Sequence, residues 1–252
     1  MGRMPGEINA NDIYFVVDVS KSMTAVDFKP NRLEVAKKKI YDFVKMRPVD
    51  RIGIIIFSEK AFTLLPLSTD MSLITKTIDE IKIGFLGSGT NIGDALGLAV
   101  ARASMSHAKN KIVILLTDGV SNIGSMTPIE AAKEAGKQSV KVYTIGIGSK
   151  SGAKMPVGKG PWGVRYQNLP GGSIDLKGLK EMARLTGGKD FYAENPNALK
   201  DVFNEIQAFE KTGVETLGKV VYRELYLFYL AVGVGIIFLV ELVQRVILRE
   251  AL

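Results

Sequence analysis

The stretch Ile13-Tyr-Phe-Val-Val-Asp-Val-Ser-Lys-Ser22 decides the fold class of this chain. Its first five residues are apolar or aromatic, which is typical of a strand that is covered on both faces in a parallel sheet. Asp18, Ser20 and Ser22 follow at alternate positions, so a turn would aim all three side chains at one point. Ligands of open α/β sheets bind at the carboxyl ends of the strands. The stretch therefore predicts a buried strand that ends in a binding loop.

Upstream of Lys211 the chain alternates between short apolar runs and amphipathic segments, and this alternation predicts an α/β fold. Only three residues separate the run that ends at Phe57 from the run that begins at Ala61. Because a crossover helix cannot fit there, these two strands are predicted to pair antiparallel at one edge of the sheet. The predicted strands are Ile13–Val19, Arg51–Phe57, Ala61–Leu64, Lys111–Thr117, Val142–Ile147 and Lys189–Ala193. The predicted helices are Arg32–Lys45, Asp70–Ile81, Asn91–Arg102, Pro128–Gln138, Leu176–Thr186 and Pro196–Glu210.

Changes in composition predict how the chain is divided. The main domain covers residues 11–210, and an insertion at residues 149–172 is rich in Gly, Lys and Pro and holds the only tryptophan, Trp162. Turn residues at 160–163 predict that this insertion is a loop or a hairpin, with Val164 opening its return strand. The remaining segments are a lead-in (1–10), a juxtamembrane linker (211–224), a transmembrane helix (225–243) and a short tail (244–252).

The C-terminal helix is predicted to cross a membrane. Residues 225–240 include 16 uncharged side chains in a row, and as a helix they cover about 24 Å of the ~30 Å hydrocarbon core. Residues 241–243 bring the helix close to full span, and Tyr222, Tyr226 and Tyr229 at its other end favour the membrane interface. The alternative is a helix buried in the protein core. Residues 1–10 contain no apolar stretch, so no signal peptide is expected in the chain as given.

The composition excludes several classes of function. The chain has 252 residues, and 33 basic against 26 acidic side chains give a net charge of +7 that is spread along its length. No nucleic-acid partner is therefore expected. The absence of cysteine excludes disulfides and thiolate metal sites. Neither a Walker motif nor the dinucleotide-binding glycine spacing occurs, and the single histidine, His107, is predicted to occupy an ordinary surface position.

Three polar segments are predicted to meet at the carboxyl edge of the sheet. They supply two carboxylates and three hydroxyls, from Asp18, Asp118, Ser20, Ser22 and Thr90. Hard divalent cations take such oxygen ligands, and Mg²⁺ retains some of its waters when it binds them. The sequence therefore predicts a Mg²⁺ or Mn²⁺ site with an open coordination position.

Asp18-Val-Ser-Lys-Ser22, followed by Thr90 and Asp118 in the right order, resembles the metal-ion-dependent adhesion site of von Willebrand factor A domains. The resemblance covers about residues 11–210 and implies a Rossmann-like, doubly wound, mostly parallel sheet. It also implies that Ser20, Ser22 and Thr90 bind Mg²⁺ directly, whereas the two Asp side chains hold it partly through waters. An Asp or Glu of a partner protein would complete the coordination.

A narrower resemblance is to the Bat-type aerotolerance proteins, which are bacterial membrane proteins associated with MoxR-type AAA+ ATPases. It rests on Asp27-Phe-Lys-Pro-Asn-Arg-Leu-Glu34, Arg47-Pro-Val-Asp-Arg-Ile-Gly53, Leu185-Thr-Gly-Gly188 and the ending that starts at Arg223-Glu-Leu-Tyr. The resemblance implies partners among other Bat-type subunits and a MoxR-type ATPase at the inner membrane. Relatives usually carry one or two earlier spans, which implies a periplasmic A domain; the chain by itself, without a signal, implies a cytoplasmic one. Lys21 stands where many A domains have Gly.

Three functions remain open at this point. The first is a membrane-anchored, metal-dependent protein-binding module that is not an enzyme. The second is a metal-dependent phosphoester hydrolase, which would need acid–base groups beside the metal that the sequence does not offer. The third is a structural subunit with a vestigial metal site. The residue inventory favours the first, because it provides an open metal position but no nucleophile and no general base.

Overall fold

The computed structural model describes residues 10–84, 86–87, 89–160, 163–169, 174–210, 229–231, 233–237 and 240. The described residues within 7–214 form one compact unit, and those within 215–252 belong to a second. Of the predicted features, the tip of the insertion with Trp162, the linker and most of the transmembrane helix lie outside the described residues.

A six-stranded sheet lies at the centre of the first unit, in the order β3-β2-β1-β4-β5-β8. All neighbouring strands are parallel except β2 and β3. This confirms the predicted α/β fold with a mostly parallel sheet and one antiparallel edge strand. The chain order reverses at β1, which places the carboxyl end of that strand at a topological switch point. The strands are β1 (Asp12–Asp18), β2 (Arg51–Phe57), β3 (Ala61–Ser68), β4 (Lys111–Thr117), β5 (Val140–Ile147), β6 (Ala153–Gly160), β7 (Gly163–Leu169) and β8 (Asp190–Ala193).

Six α-helices cover both faces of the sheet. Side chains of β1 alternate between these faces, so that Phe15 packs towards α1, α2 and α6 whereas Val16 packs towards α3, α4 and α5. On the first face the ring of Phe15 meets that of Phe43 edge-on, with 5.7 Å between centroids, and Phe203 lies 5.5 Å from Phe43. The helices are α1 (Arg32–Lys45), α2 (Met71–Glu80), α3 (Ile92–Ser104), α4 (Pro128–Lys137), α5 (Leu176–Leu185) and α6 (Pro196–Phe209).

A buried polar cluster lies at the amino edge of the sheet, opposite the predicted site. The Arg47 guanidinium donates to Asp50 at 2.7 Å and to the Glu210 carbonyl at 2.8 Å. The backbone N–H of Asn11 donates to Asp50 at 2.9 Å, and the side chains of Arg47 and Asp50 are almost fully buried. The cluster therefore joins the chain entry before β1 to the end of α6.

The strands β6 and β7 form an antiparallel hairpin that is separate from the main sheet. They lie within the predicted insertion at residues 149–172, and β7 includes the predicted return strand. The N–H of Val26 donates to the Lys154 carbonyl at 3.0 Å, which attaches the base of the hairpin to the loop that follows β1. The hairpin is therefore a neighbour of the predicted site.

Among the described residues, no helix combines the length and apolar character that a membrane crossing requires. The described residues of the predicted transmembrane segment are helical, and their apolar side chains are exposed, as for Leu230, Ile236 and Ile237. Because most of residues 225–243 lie outside the described part of the chain, the transmembrane helix stays a prediction.

Candidate metal centre

The loop after β1 brings the first three predicted ligands together. The Asp18 carboxylate lies at the end of the strand and accepts the Ser20 N–H at 2.8 Å, which turns the chain sharply. A short 3-10 helix at Lys21–Thr24 follows and folds the next side chain back, so that the hydroxyls of Ser20 and Ser22 are 3.0 Å apart. The alternate spacing read from the sequence thus produces a cluster of oxygens at the carboxyl end of β1.

The end of β4, the neighbouring strand, contributes the fourth predicted ligand. The Asp118 carboxylate accepts the Ser22 hydroxyl at 2.6 Å, and the preceding Thr117 donates its hydroxyl to Asp18 at 2.7 Å. Parallel pairing of β1 with β4 places these residues side by side. Asp18 and Asp118 are both buried. Thr117 is a supporting residue that the sequence analysis missed, and its position beside Asp118 is the signal that could have revealed it.

Thr90, the fifth predicted ligand, is held by its backbone. Its N–H donates to the Asn122 side-chain oxygen at 2.9 Å, and its carbonyl accepts the Asn122 N–H at 3.0 Å. The buried Ser58 at the end of β2 donates its hydroxyl to the Gly89 carbonyl at 2.8 Å, which fixes the preceding turn. The Thr90 hydroxyl faces Gly119, where an added Cβ would lie 3.5 Å from it. All five predicted ligands therefore meet at one edge of the sheet.

The Thr90 hydroxyl makes no hydrogen bond with the described residues, although the side chain is buried. Ser58 and Asn122 control only the backbone around it. Thr90 Oγ1 is not one of the fully buried polar atoms without a partner among the described residues, so solvent or a ligand can reach it. This oxygen is consequently available to a ligand.

An arginine that the sequence analysis did not assign to the site lies beside Asp118. Arg32, the first residue of α1, donates to Asp118 at 2.9 Å and to Asp27 at 2.6 Å, and it is buried. Gly148 makes room for the guanidinium, because an added Cβ there would lie 2.8 Å from Nη2. The stretch from Asp27 to Glu34 contributes to the sequence analysis only through the resemblance to Bat-type proteins. An Asp and an Arg five residues apart carry no signal that they will flank a distant carboxylate.

Burial dominates the electrostatics of the site. Burial, together with the nearby Asp118 carboxylate, raises the pKa of Asp18 to about 7. Burial also raises the pKa of Asp118, although Arg32 and the Ser22 hydroxyl act in the opposite direction. For Asp27, burial acts to raise the pKa, but the hydrogen bonds from Arg32 and from the Ser149 N–H outweigh it and lower the pKa. The two carboxylates that the sequence predicted as ligands are thus those whose charge is least well compensated.

The donor set fits a hard divalent cation. All five side chains offer oxygen, which suits Mg²⁺ or Mn²⁺ rather than a thiophilic metal. When all are ionised, the carboxylates of Asp18, Asp27 and Asp118 together with the Arg32 guanidinium leave a net charge of minus two. No group of three or more His, Cys, Asp or Glu side chains within the described residues is placed to hold a metal ion. The candidate site therefore depends on hydroxyl oxygens for most of its ligands.

The histidine and the nearest lysine of the described residues lie outside this cluster. His107 is exposed between α3 and the amino end of β4, at the opposite edge of the sheet. Lys21 is exposed next to the cluster and forms no ion pair with a carboxylate of the described residues. The oxygen atoms of the cluster suit a hard cation.

The sequence profile of the von Willebrand factor type A domain matches residues 12–205, which include all five predicted ligands. The chain belongs to the von Willebrand factor type A family. The chain aligns over 96% of its length with an uncharacterized protein from Borreliella burgdorferi, at 30% identity. The family membership confirms the predicted resemblance for the fold as a whole.

Solved structures confirm the narrower resemblance to Bat-type proteins. The A domain resembles BatB from Bacteroides thetaiotaomicron with a TM-score of 0.65 and 29% identity, covering 78% of this chain and 97% of that one. It resembles an aerotolerance-related membrane protein from Bacteroides fragilis with the same TM-score and 27% identity, covering 77% of this chain and 96% of that one. The chain is therefore similar to Bat-type A-domain proteins.

The relatives found by sequence are longer than this chain. The alignment spans 71% of the Borreliella protein. It spans 63% of a UPF0353 protein from Mycolicibacterium paratuberculosis, which is 26% identical over 83% of this chain. Less than two thirds of the UPF0353 relative is thus represented here.

Proposed function

We propose that this chain is a membrane-anchored protein-interaction module that binds Mg²⁺ or Mn²⁺ through Asp18, Ser20, Ser22, Thr90 and Asp118. A partner protein supplies an Asp or Glu side chain to the open coordination position. The module has no enzymatic activity of its own. It acts by making the attachment of an acidic partner depend on the metal.

The observation that carries this proposal is the pair of buried carboxylates at the switch point of the sheet. A buried charge destabilises a protein unless it is paired. Arg32 compensates Asp118 only in part, because the same guanidinium also pairs with Asp27. Asp18 has no cationic partner among the described residues, and its raised pKa reflects that. A divalent cation is the compensation that this set of oxygens selects.

Different residues of this chain would bind the cation and attract its acidic ligand. The hydroxyls of Ser20, Ser22 and Thr90 bind the cation, and the two carboxylates neutralise it. When bound, the cation supplies a positive centre that attracts a carboxylate. Lys21 adds a second positive charge at the exposed rim, which favours an acidic partner over a basic one. Arg32 keeps Asp118 in place while the cation binds and leaves.

The membrane context extends the proposal. The relative from Bacteroides fragilis is described as a membrane protein, and residues 225–243 would anchor this chain in the bacterial inner membrane. The exposed apolar side chains of the helix at residues 229–231 and 233–237 suit contact with lipid. We place the A domain in the periplasm, with other Bat-type subunits and a MoxR-type AAA+ ATPase as members of the same complex.

The partner should be recovered only when the metal is present. Affinity purification of the tagged chain from detergent-solubilised membranes is expected to recover a partner in Mg²⁺ and to lose it in EDTA. The Asp118→Ala variant should lose it even in Mg²⁺, because the metal site is then incomplete. The exposed Asp201 on α6 provides a control, since Asp201→Ala removes the same charge far from the site. Undiminished recovery in EDTA and in Asp118→Ala would show that the contact lies elsewhere.

The membrane anchor has its own test. The intact chain should remain in the membrane fraction through a high-salt wash, and a chain that ends before Tyr222 should be soluble. Protease added to spheroplasts that carry the natural gene product should digest the A domain. Recovery of the intact chain in the soluble fraction would contradict the span, and protection from protease until lysis would place the A domain in the cytoplasm.

A further inference from the structure

The hairpin β6–β7 presents an exposed surface next to the metal centre. The register pairs Lys154 with Asn168 and Pro156 with Tyr166, and alternation along β7 puts Val164 on the same side. Lys154, Val164 and Tyr166 are exposed. We refer to Lys154, Val164, Tyr166 and Asn168 as the hairpin face. An exposed surface that combines apolar and basic side chains is typical of an interaction site.

A groove lies between the loop after β1 and the hairpin face. It has a volume of about 700 Å³, and Val26 and Asp27 line one side while Lys154 and Asn168 line the other. Asp27 shares the Arg32 guanidinium with Asp118, so the groove begins one side chain away from the predicted ligands. The groove and the metal centre therefore adjoin.

The hairpin region carries basic side chains and no acidic ones. Residues 149–172 contain four basic side chains and no Asp or Glu. Lys150 pairs with Glu194, whereas Lys154 and Arg165 are exposed and form no ion pair with the described residues. Asp27, the one carboxylate among the described residues that line the groove, shares the Arg32 guanidinium with Asp118. A ligand that lies along this groove is therefore expected to be acidic.

We infer that the hairpin face is a second contact for the partner whose carboxylate completes the metal site, and that this partner presents an extended acidic segment. The inference rests on the proposed function, and it adds where the partner continues and what its chemistry is. A groove that lies one side chain away from the predicted metal ligands suits an extended peptide better than a flat bilayer surface. Acidic residues on both sides of the metal-binding Asp or Glu would then lie near Lys154.

The inference can be tested with three synthetic peptides that carry one central Asp and differ only in flanks of Glu, Gln or Lys. Their affinity for the full chain in neutral detergent is measured by fluorescence anisotropy in Mg²⁺ and in EDTA. In Mg²⁺ the Glu-flanked peptide should bind about 10-fold more tightly than the Gln-flanked one. Lys154→Glu should abolish this difference, and Lys200→Glu on α6 should preserve it.

The outcomes separate the inference from the proposed function. If the peptides bind in a Mg²⁺-dependent way but with equal affinity, or if Lys154→Glu has no effect, the hairpin contact is wrong and the metal-dependent module stands. If no peptide binds in Mg²⁺, the acidic ligand itself is contradicted. Trp162, the only tryptophan, reports the third outcome. A blue shift of its emission in phosphatidylglycerol nanodiscs without peptide, abolished by Lys154→Glu, would assign the face to the membrane instead.

Discussion

Replacing Asp18 by Asn is expected to lower the affinity for Mg²⁺ by about 100-fold or more, because loss of supporting groups outside the ligand set already costs 10- to 100-fold. The same change should raise the melting temperature of the metal-free chain. Asp18 is fully buried beside Asp118, so Asn removes an uncompensated charge while its side-chain oxygen still accepts the Ser20 N–H. Calorimetric titration and thermal unfolding of the detergent-solubilised chain measure the two effects.

The pH dependence of stability checks the cause of this effect. The pKa of Asp18 is raised from 3.8 to about 7 in the folded chain, so the folded state holds its proton more tightly than the unfolded state. The contribution of Asp18 to the stability of the metal-free protein should therefore be greatest below pH 3.8. It should fall as the pH rises towards 7. Asp18→Asn should lack this decline, and Mg²⁺ should oppose it in the unmodified chain. A variant with the same pH profile as the unmodified chain would contradict the explanation.

Replacing Arg47 by Met should lower the free energy of unfolding by about 3–5 kcal/mol, because it removes the guanidinium that pairs with the buried Asp50 carboxylate. The Glu210 carbonyl at the end of α6 would also lose a donor that now lies 2.8 Å away. Chemical denaturation of the detergent-solubilised chain measures the change. This effect does not depend on any metal.

Two further variants make the Arg47 prediction decisive. Arg184 and Glu181 form an ion pair in which both side chains are largely exposed, so Arg184→Met should change the free energy of unfolding far less than Arg47→Met does. The double variant Arg47→Met, Asp50→Asn should recover part of the loss, because it removes both buried charges. If Arg47→Met and Arg184→Met lower the free energy of unfolding equally, the buried cluster contributes no more to stability than an exposed ion pair.

The sequence predicts most of the fold because the signals for its elements are local. The apolar run from Ile13 to Val17 favours a covered strand, and the three residues after Phe57 are too few for a crossover helix. The edge strand β3 extends to Ser68, beyond the predicted Leu64, because pairing with β2 outweighs the low strand propensity of Pro66. Strand ends of this kind are set by neighbouring strands and are difficult to predict from the chain itself.

The candidate site shows where sequence arguments stop. Asp18, Ser20 and Ser22 are predictable because they are close in sequence, and Asp118 is predictable because it ends a parallel strand. Arg32 lies 86 residues from Asp118, and only the packing of α1 across the sheet brings its guanidinium within 2.9 Å. The groove beside the hairpin likewise depends on a backbone hydrogen bond from Val26 to Lys154, which cannot be predicted from the residue types.

The central claim, that this edge of the sheet binds a divalent cation through the Thr90 hydroxyl and its neighbours, is tested most directly by calorimetric titration of Mg²⁺ into three forms of the chain. Thr90→Val removes one oxygen that has no hydrogen-bond partner among the described residues. Thr63→Val is the control, because it removes a buried hydroxyl without a hydrogen-bond partner among the described residues, on β3 away from the site. One Mg²⁺ should bind to the unmodified chain and to Thr63→Val with the same affinity, and Thr90→Val should bind at least about 10-fold more weakly. Equal affinity in all three forms, or no binding to the unmodified chain, would contradict the account.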